Sequence, residues 1–272
     1  MKEISVIIPT YKPQDYLWQC LESLERQTVS KTLYEVVIIL NGCKEPYYSN
    51  ISNRLKDYTM DVRLLQTDEA GVSYARNIGI ENAQGKYVTF VDDDDWVSLD
   101  YLSELYRCAP TNHGIVAANV KAIDDATKAE HSDYLSDVFS RLHMLHTTSM
   151  FKAHRLLSSA CCKLIPKALI AETRFCTSLK RGEDALWMAK ISKRIHTVTF
   201  TSPTAVYFRR LRVNSASRKS LSYSTIFKEM ATLQHHFITT YLSDMRHYNL
   251  LLFCHRVLAV AKDAIQRCFF AA

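Results

Sequence analysis

Residues 87–96 read Tyr-Val-Thr-Phe-Val-Asp-Asp-Asp-Asp-Trp, an apolar run that ends in four consecutive carboxylates. The run 87–91 is rich in β-branched and aromatic residues and follows Gly85 closely, so it reads as a buried strand. Four aspartates at a strand end repel one another unless positive charge sits among them. If the extended geometry continues for two more residues, Asp92 and Asp94 point the same way. Two hard oxygen ligands at a strand's carboxyl end suit Mg2+ or Mn2+ carrying a diphosphate. An acidic loop or a helix-capping turn is the plain alternative, and the strand context argues against it.

Working outward, strand-like runs recur at 4–8, 35–40, 62–65, 87–91 and 115–120. Helical patterns separate them, clearest where Leu17, Cys20, Leu21 and Leu24 repeat at i, i+3, i+4 and i+7. Near-continuous apolar strands predict a mostly parallel sheet covered on both faces, an α/β architecture. Such sheets place ligands outside the carboxyl ends of their strands. That gathers residues 9–11, 40–42 and 92–95 around one crevice. Beyond residue 121 the pattern weakens. Residues 122–160 are polar and read as helix with loops, 184–193 as a helix, and 198–200 and 205–208 as short strands. Apolar residues then recur at helical spacing (Ile226, Met230, Leu233, Phe237; Leu258, Ala261, Ile265), which predicts two amphipathic helices over 225–270.

Composition narrows the class. The chain has 272 residues, 47% of them hydrophobic, enough for one large α/β domain with an added helical part. A formal charge of +6 permits anionic substrates or an anionic membrane surface and does not call for nucleic acid. Eight cysteines without a CxxC pair, two of them adjacent at 161 and 162, read as reduced thiols. No stretch has the length of a signal peptide's apolar core or the ~18 apolar residues of a membrane span, so a cytoplasmic or peripheral location is expected. HxxH at His143 and His146, with His154 and the pair His235–His236, lacks a second ligand cluster and reads as structural or solvated.

Several motifs in this order resemble family 2 inverting glycosyltransferases of the GT-A fold. The opening Ser5-Val-Ile-Ile-Pro-Thr-Tyr11 is similar to that family's first strand and nucleotide loop, and Cys20–Thr28 to its first helix. Gly71-Val-Ser-Tyr-Ala-Arg-Asn-Ile-Gly79 resembles the stretch before the acidic strand, and Phe90–Trp96 the DxD motif. Gly182-Glu-Asp184 with Trp187 resembles the acceptor-side acidic motif, and Tyr207–Ser217 a basic segment near the end of the catalytic domain. The resemblance implies the GT-A fold with a C-terminal helical extension. The expected division is a catalytic domain over 1–220, its nucleotide-sugar half 1–120 and acceptor half 121–220, followed by helices over 221–272. Where the family commonly carries paired aspartates after its second strand, this chain has Leu40 and Asn41. Asn41 can still offer an amide oxygen to a base N–H.

The resemblance also implies roles. Glycosyl transfer passes through an oxocarbenium-like transition state while negative charge grows on the leaving diphosphate. Mn2+ or Mg2+ on Asp94 would neutralise that charge. Asp92 is placed nearer the ribose and Asp93 beside it, with solvation or capping as the plain reading of Asp93 and Asp95. Pro9 and Tyr11 belong to the nucleotide loop, Tyr11 either stacking on the base or packing at the strand end. Arg76 either steadies an aspartate of the cluster or meets the diphosphate. Asp184, at a helix start, is the expected base for the acceptor hydroxyl, with Glu183 orienting it; helix capping is the alternative. Among the basic residues after 205, Arg209, Arg210, Arg212, Arg218 and Lys219, one or two would clamp the diphosphate, Arg209 and Arg212 foremost.

The expected activity is metal-dependent, inverting transfer of a hexose or N-acetylhexosamine from a UDP-sugar. The acceptor would be a lipid-linked, lipopolysaccharide, capsule or O-antigen intermediate at the cytoplasmic face of the inner membrane. A nucleotidyltransferase that makes a nucleotide sugar is the first alternative, but that class carries an early glycine-rich loop and residues 1–41 contain no glycine. A non-catalytic sugar-nucleotide-binding module is the second, opposed by the intact Asp92, Asp94 and Asp184. Neither GxGxxG nor GxxxxGK[ST] occurs, which disfavours Rossmann oxidoreductases and P-loop kinases.

Overall fold

The computed structural model describes residues 2–110, 113–212 and 222–270. Its strands are β1 (Ile4–Thr10), β2 (Tyr34–Asn41), β3 (Val62–Thr67), β4 (Tyr87–Phe90), β5 (Trp96–Val97) and β6 (Gly114–Ala117), then β7 (Asn119–Asp124), β8 (Glu130–His131), β9 (Thr147–Ser149), β10 (Lys163–Pro166), β11 (Thr197–Phe200) and β12 (Val206–Leu211). The helices are α1 (Tyr16–Glu25), α2 (Tyr47–Arg54), α3 (Val72–Asn82), α4 (Tyr101–Arg107) and α5 (Tyr134–Leu142), then α6 (Lys167–Ile170), α7 (Glu183–Ile191), α8 (Tyr223–Ser243) and α9 (Leu250–Phe270).

The central sheet runs β3-β2-β1-β4-β10-β6-β11-β9. Strands β3, β2, β1 and β4 are mutually parallel, whereas β10 is antiparallel to both its neighbours. From β1 the chain steps outward through β2 to β3 and returns to β4 on the other side of β1. That reversal opens a crevice beyond the carboxyl ends of β1 and β4, where Thr10 and Asp92–Asp95 lie. Every residue of β1 and β2 is buried, as their unbroken apolar runs require of strands covered on both faces. Helix α3 approaches β1 so closely that a Cβ at Gly79 would come within 2.3 Å of Ile7 Cγ2. At the opposite end of the sheet, fully buried Glu35 takes a bond from Ser5 (2.6 Å) and pairs with Arg63 (2.7 Å), a knot that serves stability.

A second sheet, β5-β12-β7-β8, flanks the crevice. The run 115–120, expected as one strand, is two: β6 belongs to the central sheet and β7 to this one, with the change at Ala118. Both halves are apolar because both sheets bury them, so composition carries no mark of the break. Likewise β10 was not expected. It is four residues long and contains a fully buried Lys163, whose Nζ donates to Cys161 O (3.0 Å). Within 122–160 the helix α5 forms, but β8 and β9 form as well. All eight cysteines are free thiols.

Helices α8 and α9 pack on each other, and α8 also packs on α7. Ile226, Phe237, Leu252, Phe253 and Ala264 are buried there, and Tyr248 Oη donates to Lys190 O (3.0 Å). The expected stripe of α9 is out of register, since Leu258 and Ile265 are 65% and 55% exposed. Helix α9 carries apolar residues on more than one face, and packing chose the face of Leu252 and Phe253. No helix among the described residues is long and apolar enough to cross a membrane.

Candidate active site

Strand β4 ends at Phe90; Val91 N–H still bonds Ile7 O (3.1 Å), and then the chain turns, Asp95 N–H closing on Asp92 O (3.1 Å). The extended geometry therefore does not persist, and the four aspartates diverge instead of alternating. Asp92 Oδ1 accepts from Arg76 (3.0 Å) and Asp93 Oδ2 from Thr10 Oγ1 (2.5 Å). Asp94 pairs with Arg212, whose guanidinium lies over the Tyr16 ring. Asp95, 3% exposed, accepts from Tyr207 Oη (2.7 Å) and Arg210 N–H (2.7 Å). Asp95 is thus neither solvated nor a cap: it fastens the turn to β12. Asp93 is likewise held, by Thr10 at the end of β1.

The turn is overloaded with negative charge. Burial, with the added repulsion of Asp94 and Asp92, pushes the Asp93 carboxyl up to about 7 against the Thr10 bond. Burial and the charge of Asp92 raise Asp94 in spite of Arg212. Among the described residues no three His, Cys, Asp or Glu side chains form a ready-made metal cage. A magnesium-type site does not need one, because such ions take one or two carboxylates and complete their shell with substrate phosphates and water. Asp94, partly exposed beside an excess of carboxylate, fits that donor set.

Arg76 joins this turn to the second acidic pair. It projects from α3, is 3% exposed, and bonds Asp92 Oδ1, Glu183 Oε1 (3.3 Å) and Asp184 Oδ1. The sequence offered Arg76 an aspartate of the acidic cluster or the diphosphate; residues 183 and 184 also reach it because α7 is held against β4. Trp187, fully buried, stacks on Phe175 (4.4 Å between centroids) and meets Phe90 edge-on (5.6 Å), fixing α7 to the residue that precedes Val91 and the acidic turn. Gly182, at φ +74°, caps α7, and a Cβ there would come within 2.4 Å of Leu233 on α8. Asp184 Oδ2 accepts Ala160 N–H (3.0 Å), so both its oxygens are engaged. Burial and the neighbouring Asp184 push Glu183 up to about 7, against Arg76.

Three expectations for the nucleotide side are corrected. Asn41, 2% exposed, turns inward: its Nδ2 donates to Thr10 O (2.7 Å) and its Oδ1 accepts Gly71 N–H (2.8 Å). It ties together the loops that frame the crevice and has no amide oxygen free for a base. Pro9 is buried within β1. Arg209 pairs with buried Asp133 at the start of α5 (2.7 Å), while its neighbour Arg210 serves the turn, donating to Asp94 O (2.7 Å) and Asp125 Oδ1 (2.6 Å). Consecutive arginines on a strand face opposite ways, and nothing in the sequence said which faced in. Tyr11 is 51% exposed at the crevice, as a stacking ring would be, with Lys12 Nζ 5.5 Å from its centroid. Thr10, Tyr16 and Tyr207 are site residues to which the sequence assigned no role, although Thr10 and Tyr207 lay in segments it singled out; Arg210 was among its basic candidates without being preferred. Arg218 and Lys219 lie outside the described residues.

Residues 5–173 match the family model described as glycosyl transferase family 2. Glycosyltransferase GlyA of Streptococcus pneumoniae is 29% identical over 225 residues, covering 79% of this chain and 32% of that protein. The poly(ribitol-phosphate) beta-N-acetylglucosaminyltransferase TarS of Staphylococcus aureus is 25% identical over 220 residues, covering 78% and 36%. The chain thus spans about a third of the length of these two relatives. The crystal structure of TarS 1–349 with UDP-GlcNAc superposes with a TM-score of 0.69 at 22% identity, covering 87% of this chain and 66% of that one. The mannosyltransferase PcManGT of Pyrobaculum calidifontis, with GDP-Man and Mn2+, superposes at 0.65 and 15% identity, covering 99% and 76%. Both likenesses establish the fold.

Proposed function

Because this chain belongs to glycosyl transferase family 2, we propose that it transfers a hexose or N-acetylhexosamine, with inversion, from a UDP-sugar to a lipid-linked or surface-glycan acceptor. One observation carries the reading: a single buried guanidinium, Arg76, holds a donor-side aspartate (Asp92) and an acceptor-side acidic pair (Glu183, Asp184) in one crevice. The donor binds at the switch point, its base against Tyr11 and its diphosphate at the turn 92–95. Asp94 would hold Mn2+ or Mg2+, which supplies charge neutralisation to the departing diphosphate. Arg212 adds positive charge beside it and is released from Asp94 to do so. Asp184 takes the acceptor hydroxyl's proton, on the side of the sugar away from the diphosphate. Residues 1–120 form the donor half of this arrangement, 121–220 the acceptor half, and 221–272 a helical appendage.

Uridine as the base is supported by the UDP-GlcNAc complex of TarS, whereas PcManGT binds GDP-Man. A thermal-shift panel of UDP, GDP, dTDP and CDP, with and without Mn2+, decides it: the expected result is the largest rise with UDP and Mn2+ together. In the same assay Asp94→Asn weakens UDP binding in Mn2+ far more than in EDTA, because it removes a hard anionic ligand. Equal affinity of variant and parent in Mn2+ would reject Asp94 as the ligand.

The reading includes weak attachment to an anionic membrane surface through the helices over 221–272. Leu250, Leu251 and Phe269 are exposed at 53%, 55% and 79%, on a segment that also carries Arg246 and Lys262. Deleting 246–272 is not a clean test, because Leu252 and Phe253 are core residues. The triple replacement of Leu250, Leu251 and Phe269 by serine is expected to abolish salt-sensitive binding to phosphatidylglycerol vesicles. Unchanged binding would place the contact elsewhere, and no binding by the parent at low salt would remove it.

A further inference from the structure

A cavity of about 850 Å3 lies between α7, α8 and α9. Its wall includes Gly182 and Ala185, which bracket Glu183 and Asp184, so it adjoins the acceptor side of the crevice. Among the described residues its wall carries the cations Arg155, Arg256, Lys262 and Arg267 and the carboxylates Glu229 and Asp263. Both carboxylates lie on one of those cations, Arg267, at 3.0 and 3.6 Å. The remaining wall is aliphatic and aromatic, including Leu233, Phe237 and Val260.

Arg256 is the informative member. It is 8% exposed and lines the cavity. One of its N–H groups donates to His154 O (2.7 Å), its Nε has no partner, and among the described residues it forms no ion pair. Burial without a counter-ion pushes the guanidinium down to about 10. A buried cation left unpaired destabilises a fold, so its retention beside an open cavity points to an anion supplied from outside. An apolar wall next to that cation selects an anion attached to a hydrocarbon.

We propose that this cavity binds the phosphate headgroup and first chain carbons of a lipid-phosphate acceptor, delivering the acceptor sugar to Asp184. The proposal rests on the transfer reaction above and adds the acceptor's chemical class. Arg256 donates to the phosphate oxygens at the buried end, and Arg155 and Lys262, both exposed, add positive charge at the rim.

The test is direct binding, measured calorimetrically on the full chain without donor, with decyl phosphate below its micellar concentration. Methyl phosphate and decanol serve as the headgroup-only and chain-only probes. Decyl phosphate is expected to bind at least roughly tenfold more tightly than either. Arg256→Met should weaken it by about tenfold or more while leaving the melting temperature at or above that of the parent, since the substitution removes an unpaired buried charge. Ala259→Trp, at an exposed position on the cavity wall, should weaken it with every charge in place. Decyl phosphate binding that is equal in all three proteins overturns the site. Methyl phosphate binding as tightly as decyl phosphate overturns the lipid and leaves a soluble phosphate. UDP binding in Mn2+ is measured in parallel: its absence from the parent protein would sink the transfer reaction and not the cavity.

Discussion

Arg76→Met is expected to be the most damaging single change in the crevice, lowering the melting temperature by roughly 10 °C and abolishing transfer. The guanidinium is buried and bonds three carboxylates, of which Glu183 and Asp184 are themselves largely shielded. Removing one partner from a buried ionic cluster costs about 3–5 kcal/mol, because the remaining charges stay buried without compensation. In a chain of this size each kcal/mol moves the midpoint by about 2–4 °C. Asp92, being 39% exposed, contributes least to that sum. The deficit should shrink as the pH falls from 8 to 5, since protonating Glu183, raised to about 7, removes part of the repulsion. Arg76→Lys keeps the charge but loses the fork, and should fall between the two. A melting temperature for Arg76→Met within 2–3 °C of the parent at pH 8 would show that solvent, not Arg76, compensates the cluster.

Asp184→Asn is expected to reduce transfer by ~10²-fold or more while leaving UDP-sugar affinity almost unchanged. Asparagine keeps the shape and one acceptor oxygen, so Ala160 N–H or Arg76 retains its partner and the fold is little affected. Retained turnover would leave Asp184 as an anchor for Arg76 and Ala160 N–H, and the neighbouring Glu183, raised to about 7, would become the base. The pH profile separates the two. Glu183 is raised from 4.5 to about 7, so the native state holds its proton between those values. Its contribution to stability is present below 4.5 and is lost as the pH rises through 7, while any role as a base gains over the same range. An acid limb of kcat/KM near pH 7 that disappears in Glu183→Gln, with the ceiling rate kept, assigns the titration to Glu183 and the base to Asp184. A loss of the ceiling rate in Glu183→Gln would exchange the two roles.

Much of the donor half was legible because its determinants are local. The runs 4–8, 35–40 and 87–91 are apolar on both faces, and that alone identifies strands of a covered parallel sheet. The helix with Leu17, Cys20, Leu21 and Leu24 buries all four. The location of the site followed from the carboxyl ends of those strands. What failed depended on tertiary contacts. Asn41 looked free because its partners, Thr10 and Gly71, are 31 and 30 residues away. Arg209 was put ahead of Arg210 because nothing local shows that Asp133 takes the first and the acidic turn the second. The four aspartates looked like a continuing strand because a turn closed by backbone alone leaves no trace in side-chain identity. Beyond 121 the helices read at 184–193 and 225–270 and the strands at 198–200 and 205–208 form as α7, α8, α9, β11 and β12, whereas β8, β9 and β10, two to four residues long, are shorter than one hydrophobic period can certify.

Position 182 ties two distant parts of the chain into one unit of inheritance. A left-handed backbone favours glycine there, and Leu233 of α8 fills the space where a Cβ would project. The volume available at the acidic loop is thus set some fifty residues downstream. A graft that imports a different C-terminal hairpin must keep glycine at 182 and match the volume of Leu233, or the contact will clash or leave a void. The acidic turn Asp92–Asp95 draws its contacts from residues 10, 76, 207, 210 and 212, and through Arg76 it meets the acidic pair that follows Gly182. Any exchange of the terminal helices must therefore preserve the packing at Gly182 that holds Glu183 and Asp184 against Arg76.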